Sequence, residues 1–133
     1  LVQQGVARIG ELGGEIWFKV DRATLAGIEA VNNVRLAPEK VRESLLACAQ
    51  LAPTWVQTCY FALDGEEASP AERSAYLALL ESVSDKIKGV HLYGLARPSL
   101  QPAASRLSNL SLENFQRFAR SVSSIGIEVV AKP

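Results

Sequence analysis

The chain has 133 residues, of which 48% are apolar and 21% charged, and its formal net charge at pH 7 is zero. That length supports one domain with a real core, and the balanced charge argues against a nucleic-acid or membrane surface driven by bulk charge. No apolar run reaches the ~18–20 residues a membrane span requires, no signal or transit peptide pattern opens the chain, and two cysteines, Cys48 and Cys59, are too few for a secreted disulfide framework.

These exclusions point to a cytoplasmic protein without a membrane partner. The chain opens on Leu1 and contains no methionine. The expectation is that residues 1–133 form a single domain that is a piece of something longer.

Val2, Val6 and Ile9 mark the apolar side of a short first helix, and Gly13-Gly14 supplies its stop. Glu15 to Asp21 reads as a strand. Arg22 to Ala37 reads as a long connection with at most one helical turn. Pro38 then opens a helix at its first position, where a missing N–H costs nothing. Val41, Leu45, Cys48 and Ala52 form its apolar face, and Pro53 ends it. Trp55 to Phe61 is the next strand, and Leu63-Asp64-Gly65 turns the chain.

Ser69-Pro70-Ala71-Glu72 is a strong helix start, with Ser69 as cap and Glu72 placed for a capping box. Tyr76, Leu77, Leu80 and Val83 face its core. Val90 to Gly94 is a third strand, followed by a loop over residues 95–110 with Pro98 and Pro102. Ser111 caps a last helix with Phe115, Phe118, Ala119, Val122 and Ile125 on its apolar side. Gly126 breaks it, and Ile127 to Ala131 is a final strand.

Strands separated by helices of this length imply a parallel sheet with right-handed crossovers. A doubly wound sheet buries both faces, so its strands read as continuous apolar runs. These strands alternate instead. Ile16, Phe18 and Val20 fall on one face, and so do Val90 and Leu92. The opposite face takes Glu15, Lys19, Asp21, Gln57, His91, Tyr93 and Glu128.

Burying that many polar groups without partners would cost roughly 1–3 kcal/mol each. The polar face therefore lines something wet or is well paired. The pattern predicts an α/β fold, half of a partial (β/α) TIM-type barrel with about four parallel strands alternating with helices. An open sheet with one face in water is the alternative that pattern alone leaves standing.

Three segments carry a family resemblance. Gly14-Glu15-Ile16-Trp17-Phe18-Lys19-Val20-Asp21 resembles the fourth strand of a radical S-adenosylmethionine domain. Trp55-Val56-Gln57-Thr58-Cys59-Tyr60-Phe61, followed by Leu63-Asp64-Gly65, resembles the fifth. His91-Leu92-Tyr93-Gly94-Leu95-Ala96-Arg97-Pro98 resembles the sixth strand and its loop, in the form seen in wyosine-synthase-like Fe–S oxidoreductases. The resemblance spans about Gly14 to Lys132 and places the chain in the C-terminal half of the partial barrel.

The resemblance implies a 4Fe–4S cluster held by a Cys-x3-Cys-x2-Cys loop after the first strand. It implies S-adenosylmethionine bound to that cluster and cleaved to a 5′-deoxyadenosyl radical. This chain departs from the pattern, because it has no three-cysteine motif. The expectation is that the full-length parent carries the cofactor and cluster and that the remaining N-terminal half of the same protein is the partner. This chain is expected to bind neither group and to be inactive alone.

Among candidate residues, the resemblance places Lys19 and Asp21 near the cofactor's ribose and amino-acid moiety. Gln57 is a further cofactor-binding candidate, and Thr58 reads as structural. Tyr93 and Arg97 are substrate-pocket candidates, Arg97 as a planar fork for carboxylate or phosphate. The single histidine, His91, reads as structural, Cys59 as a packed thiol, and Asn32 and Asn33 as turn residues. Trp17 and Trp55 read as packing, and Glu66 and Glu67 as a solvated loop.

Two other functions compete. One is a non-catalytic half-barrel binding or interaction module, for which a homodimer through open sheet edges is the expected form. The other is a conventional βα enzyme using His91 or Lys19. It is the weakest, because no nucleophile–base constellation or phosphate loop is visible.

Overall fold

The computed structural model describes residues 2–32, 35–95 and 106–133. The elements in chain order are α1 (Val2–Glu11), β1 (Ile16–Lys19), α2 (Leu25–Asn32), α3 (Pro38–Leu51), β2 (Thr54–Cys59) and β3 (Ala62–Leu63). They continue with α4 (Pro70–Val83), β4 (Gly89–Tyr93), β5 (Leu107–Ser108), α5 (Leu112–Ser123) and β6 (Glu128–Lys132).

The main sheet has four strands in the order β1-β2-β4-β6, and every neighbouring pair is parallel. Each new strand is added at the same edge. With crossovers of one hand, that order places the intervening helices on one face. The core agrees: Val41 and Leu45 of α3, Tyr76, Leu80 and Val83 of α4, and Phe115, Phe118 and Val122 of α5 cluster with Val20, Val56, Val90 and Leu92. Leu45, Leu80, Leu92, Val56, Val83, Val90 and Val122 are fully buried, each stabilising by roughly 1.5–3 kcal/mol. The expected α/β architecture, four parallel strands alternating with helices, is the one observed.

The helix starts follow the sequence. The Ser69 and Ser111 hydroxyls accept the backbone N–H of Glu72 and Asn114, which relieves orphan donors of the first turn. Only half of the expected capping box forms at α4. The Glu72 carboxylate turns away from Ser69 and ties down a different segment, described below.

Two stretches depart from the sequence reading. The connection after β1 holds a full eight-residue helix, α2, rather than one turn. The Thr24 hydroxyl accepts the Gly27 N–H at 3.0 Å, and Ile28 and Val31 are buried. One Gly and two apolar anchors make this helix faint in a periodicity scan. The second is a two-residue antiparallel pair, β3 with β5, too short to leave a pattern. Between β3 and Glu66 the chain reverses through Asp64 and Gly65, both at positive φ (54° and 79°), as a tight primed turn requires.

Candidate functional site

The register arranges the open face of the sheet in rows. Trp17 lies beside Trp55, and Lys19 beside Gln57, which in turn lies beside His91. Further along, Cys59 neighbours Tyr93, and Tyr93 neighbours Lys132. The rows run from the strand starts to their C-terminal ends, the side on which barrel enzymes build their sites.

Beyond the Val20 N–H, which donates to the Gln57 carbonyl at 3.0 Å, the end of β1 is fastened to β2 by side chains. Asp21 is buried, its side chain only 4% exposed. Its Oδ1 accepts the Cys59 N–H at 2.9 Å, and Oδ2 pairs with Lys19 Nζ at 3.5 Å. Burial raises the Asp21 pKa above its ordinary value, opposed by the Cys59 N–H and the Lys19 charge. Thr58 Oγ1 donates to the Val20 carbonyl at 2.6 Å and lies 2.7 Å from the Tyr76 hydroxyl. One hydroxyl carries one proton, so Tyr76 donates in turn to Thr58.

Burial pushes the Cys59 thiol up to about 11, with the Asp21 charge adding to it. That thiol is protonated and inert at neutral pH. Burial also pushes the Tyr93 phenol up to about 12. Neither group is poised for acid–base work near pH 7. What this end of the sheet does offer is hydrogen bonding: Lys19, half-exposed, and Gln57, half-buried, side by side on the open face.

Arg22, Ala23 and Thr24 follow β1 and meet the start of α4. Glu72, buried, accepts the Ala23 N–H and the Thr24 hydroxyl, each at 2.7 Å. Gly27 makes this possible, because a Cβ there would collide with Glu72 Oε1. Beside it, Glu67 accepts the Tyr60 hydroxyl at 2.6 Å and pairs with Arg117 at 3.1 Å and Arg73 at 3.5 Å. Glu67 is thus a part-buried hub, not the solvated loop residue the sequence suggested. Glu67, Glu72 and Arg22 were missed as site-shaping residues. The contacts from Glu72 to Ala23, from Glu67 to Arg117 and from Arg22 to Phe61 span 49, 50 and 39 positions, separations no local pattern reports.

Toward the strand starts the open face carries aromatics. The Trp17 ring stacks on His91 at 4.3 Å, Trp55 meets His91 edge-on at 4.7 Å, and Trp55 Nε1 donates to Glu15 at 2.9 Å. Trp17 packs on His91 but remains 52% exposed. Tyr93 packs with Val31, Cys59 and Phe61, which places it near α2. Arg97 and Asn33 lie outside the described residues.

A cluster does not fit this chain's described residues. Cys48 sits on α3 and Cys59 is buried on β2. No group of three or more His, Cys, Asp or Glu side chains converges on a common point among the described residues. A cluster wants three or four thiolates.

The fold and its polar strand ends define a class: a singly wound α/β half-barrel with helices on one side. No protein-family model matches the sequence, and no curated protein matches it. Among solved structures, the chain is similar to a domain of pyruvate-formate lyase-activating enzyme from Bacteroides vulgatus. The TM-score is 0.67 at 11% identity, over 98% of this chain and 88% of that one. At that identity the likeness establishes a shared fold. No helix among the described residues is long and apolar enough to cross a membrane.

Proposed function

We propose that this chain is the C-terminal part of a cytoplasmic radical S-adenosylmethionine enzyme, an Fe–S oxidoreductase of the wyosine-synthase-like type. The observation that carries the reading is the sheet itself: parallel strands in chain order, helices on one face, and Lys19 and Gln57 on the other at the active end. The fold shared with a domain of pyruvate-formate lyase-activating enzyme, itself a radical enzyme of this superfamily, supports it. So do the three strand motifs.

On this reading the N-terminal part of the same protein brings the cluster, since this chain's cysteines cannot. S-adenosylmethionine, when bound, supplies the radical chemistry. This chain's residues bind and orient. The Lys19 ammonium and Gln57 amide hold polar groups of the cofactor. Asp21 acts through Lys19, fixing its position, and through Cys59, fixing the strand end. Tyr93 borders the substrate side, and Arg97 is the other substrate-pocket candidate. Alone, the chain has no activity.

The parallel ladder directs the backbone groups of Ile16, Phe18 and Val20 toward β2. Those of Trp17 and Lys19 face the free edge, which suits pairing with a strand of the N-terminal part.

The test uses the full-length parent, reconstituted anaerobically with iron and sulfide. The expected result is cluster charge-transfer absorbance and reductive cleavage of S-adenosylmethionine, weakened by K19A and Q57A. A parent that binds no cluster and cleaves no cofactor overturns the proposal. In that event, dimerisation of the chain through its free edges would favour a binding module.

A further inference from the structure

Arg22 is 8% exposed. Its guanidinium carbon sits 5.1 Å from the centre of the Phe61 ring. Among the described residues it forms no ion pair within 4 Å and no side-chain hydrogen bond, although seven ion pairs form elsewhere in the chain. Every fully buried side-chain nitrogen or oxygen among the described residues has a partner. The partnerless guanidinium nitrogens therefore touch accessible space.

Arg22 lines an open cleft of about 330 Å³ together with Thr24, Gly27, Val31, Leu63, Ser69 and three glutamates; smaller hollows of about 10 and 80 Å³ also border Arg22. Phe61, under the guanidinium, packs with Val31 and Leu63, which fixes the cation at this cleft. The volume falls in the range of small-molecule sites.

The energetics leave the cation short of a partner. Taking a charged side chain out of water costs several kcal/mol, and a cation–π contact returns about 0.5–2 kcal/mol. Burial accordingly holds the guanidinium below the usual arginine range, with Glu72 opposing from a distance. No glutamate of the cleft pairs with the guanidinium directly. Both Glu72 oxygens are taken by Ala23 and Thr24. Both Glu67 oxygens are taken by Tyr60, Arg73 and Arg117. Glu66 is exposed at the rim.

We propose that this cleft binds a small molecule through an oxyanion, a carboxylate or phosphate group, seated on the Arg22 guanidinium. A planar fork backed by an aromatic ring suits a two-oxygen acceptor. Lys19 and Gln57 do not line this cleft, although Arg22 and Lys19 both border the smaller hollow of about 80 Å³, and the proposal does not rest on the radical-enzyme reading.

The test is an NMR titration of the isotopically labelled 133-residue chain with inorganic phosphate and, separately, acetate. Chloride at matched ionic strength is the control. The Arg22 Nε–H and the Thr24, Gly27 and Ser69 amides are expected to move saturably. Saturation with phosphate alone identifies a phosphate source, with acetate alone a carboxylate source, and either supports the site.

R22Q is expected to weaken binding by about tenfold or more, the worth of a charge-assisted hydrogen bond. E66Q, at an exposed position, is expected to tighten it by about twofold. Shifts that do not saturate, that chloride reproduces, or that survive R22Q unchanged overturn the proposal. Should R22Q fail to fold, the Arg22 Nε–H signal of the unaltered chain and the E66Q comparison decide.

Discussion

Replacing Thr58 by Val removes one hydroxyl and almost no volume, which makes it a clean probe of how the end of β1 is held. The hydroxyl donates to the Val20 carbonyl at 2.6 Å and accepts from Tyr76 at 2.7 Å, with Thr58 1% and Tyr76 3% exposed. Val at this position orphans one carbonyl and one phenol in a dry core, at about 1–3 kcal/mol each. With some relaxation the expected loss is about 3 kcal/mol. That corresponds to about 10 °C in Tm for a domain of this size. Y76F leaves the Thr58–Val20 bond intact, so it is expected to cost about 1 kcal/mol. The double variant orphans only the Val20 carbonyl, so the two losses are expected to fall short of additivity by about 2 kcal/mol. Urea denaturation of the four proteins gives the cycle. If T58V loses less than about 0.5 kcal/mol, the usual range for an inconsequential surface change, or if the losses simply add, the relay from Tyr76 through Thr58 to Val20 does not hold β1.

G27A is expected to push Glu72 off Ala23 and Thr24 and to cost about 2–4 kcal/mol; an E72A background should shrink that cost, and an equal cost there would reject the contact. Asp21 has a folded-state pKa raised above its ordinary 3.8, so the folded chain holds this proton more tightly than the unfolded one. The stability it contributes is complete below the unfolded value and is lost as pH rises through the folded one. Unaltered protein is therefore expected to gain on D21N as pH falls from neutrality toward 4, read by denaturant midpoints; a constant gap would refute the direction. Cys59, with its thiol pushed up to about 11 and buried, should resist a thiol-reactive disulfide about tenfold longer than the less buried Cys48. Comparable labelling rates in the folded chain would contradict that burial.

What the sequence disclosed follows from which forces are local. A sheet covered on one side only must alternate apolar and polar residues, so Phe18, Val20, Val90 and Leu92 announced the helix face, and Lys19, Gln57 and His91 the other. Capping is equally local, and Ser69 and Ser111 marked their helices correctly. Parity alone puts Lys19 and Gln57 on one face. Only the register, Lys19 opposite Gln57, makes them neighbours, and register is set by packing between distant segments. Asp21 shows the same limit from the other side. Its place at a strand end was legible, but not its commitment to the Cys59 N–H and Lys19. That commitment requires knowing that β1 stops pairing while β2 runs on. The residues that secure the strand end, Asp21, Thr58 and Glu72, thereby leave Lys19 and Gln57 on the open face with their polar groups available. A substitution among the first set should thus disturb stability and site geometry together, as should one at Lys19, which pairs with the buried Asp21, whereas one at Gln57, on the open face, should alter binding while the fold stands.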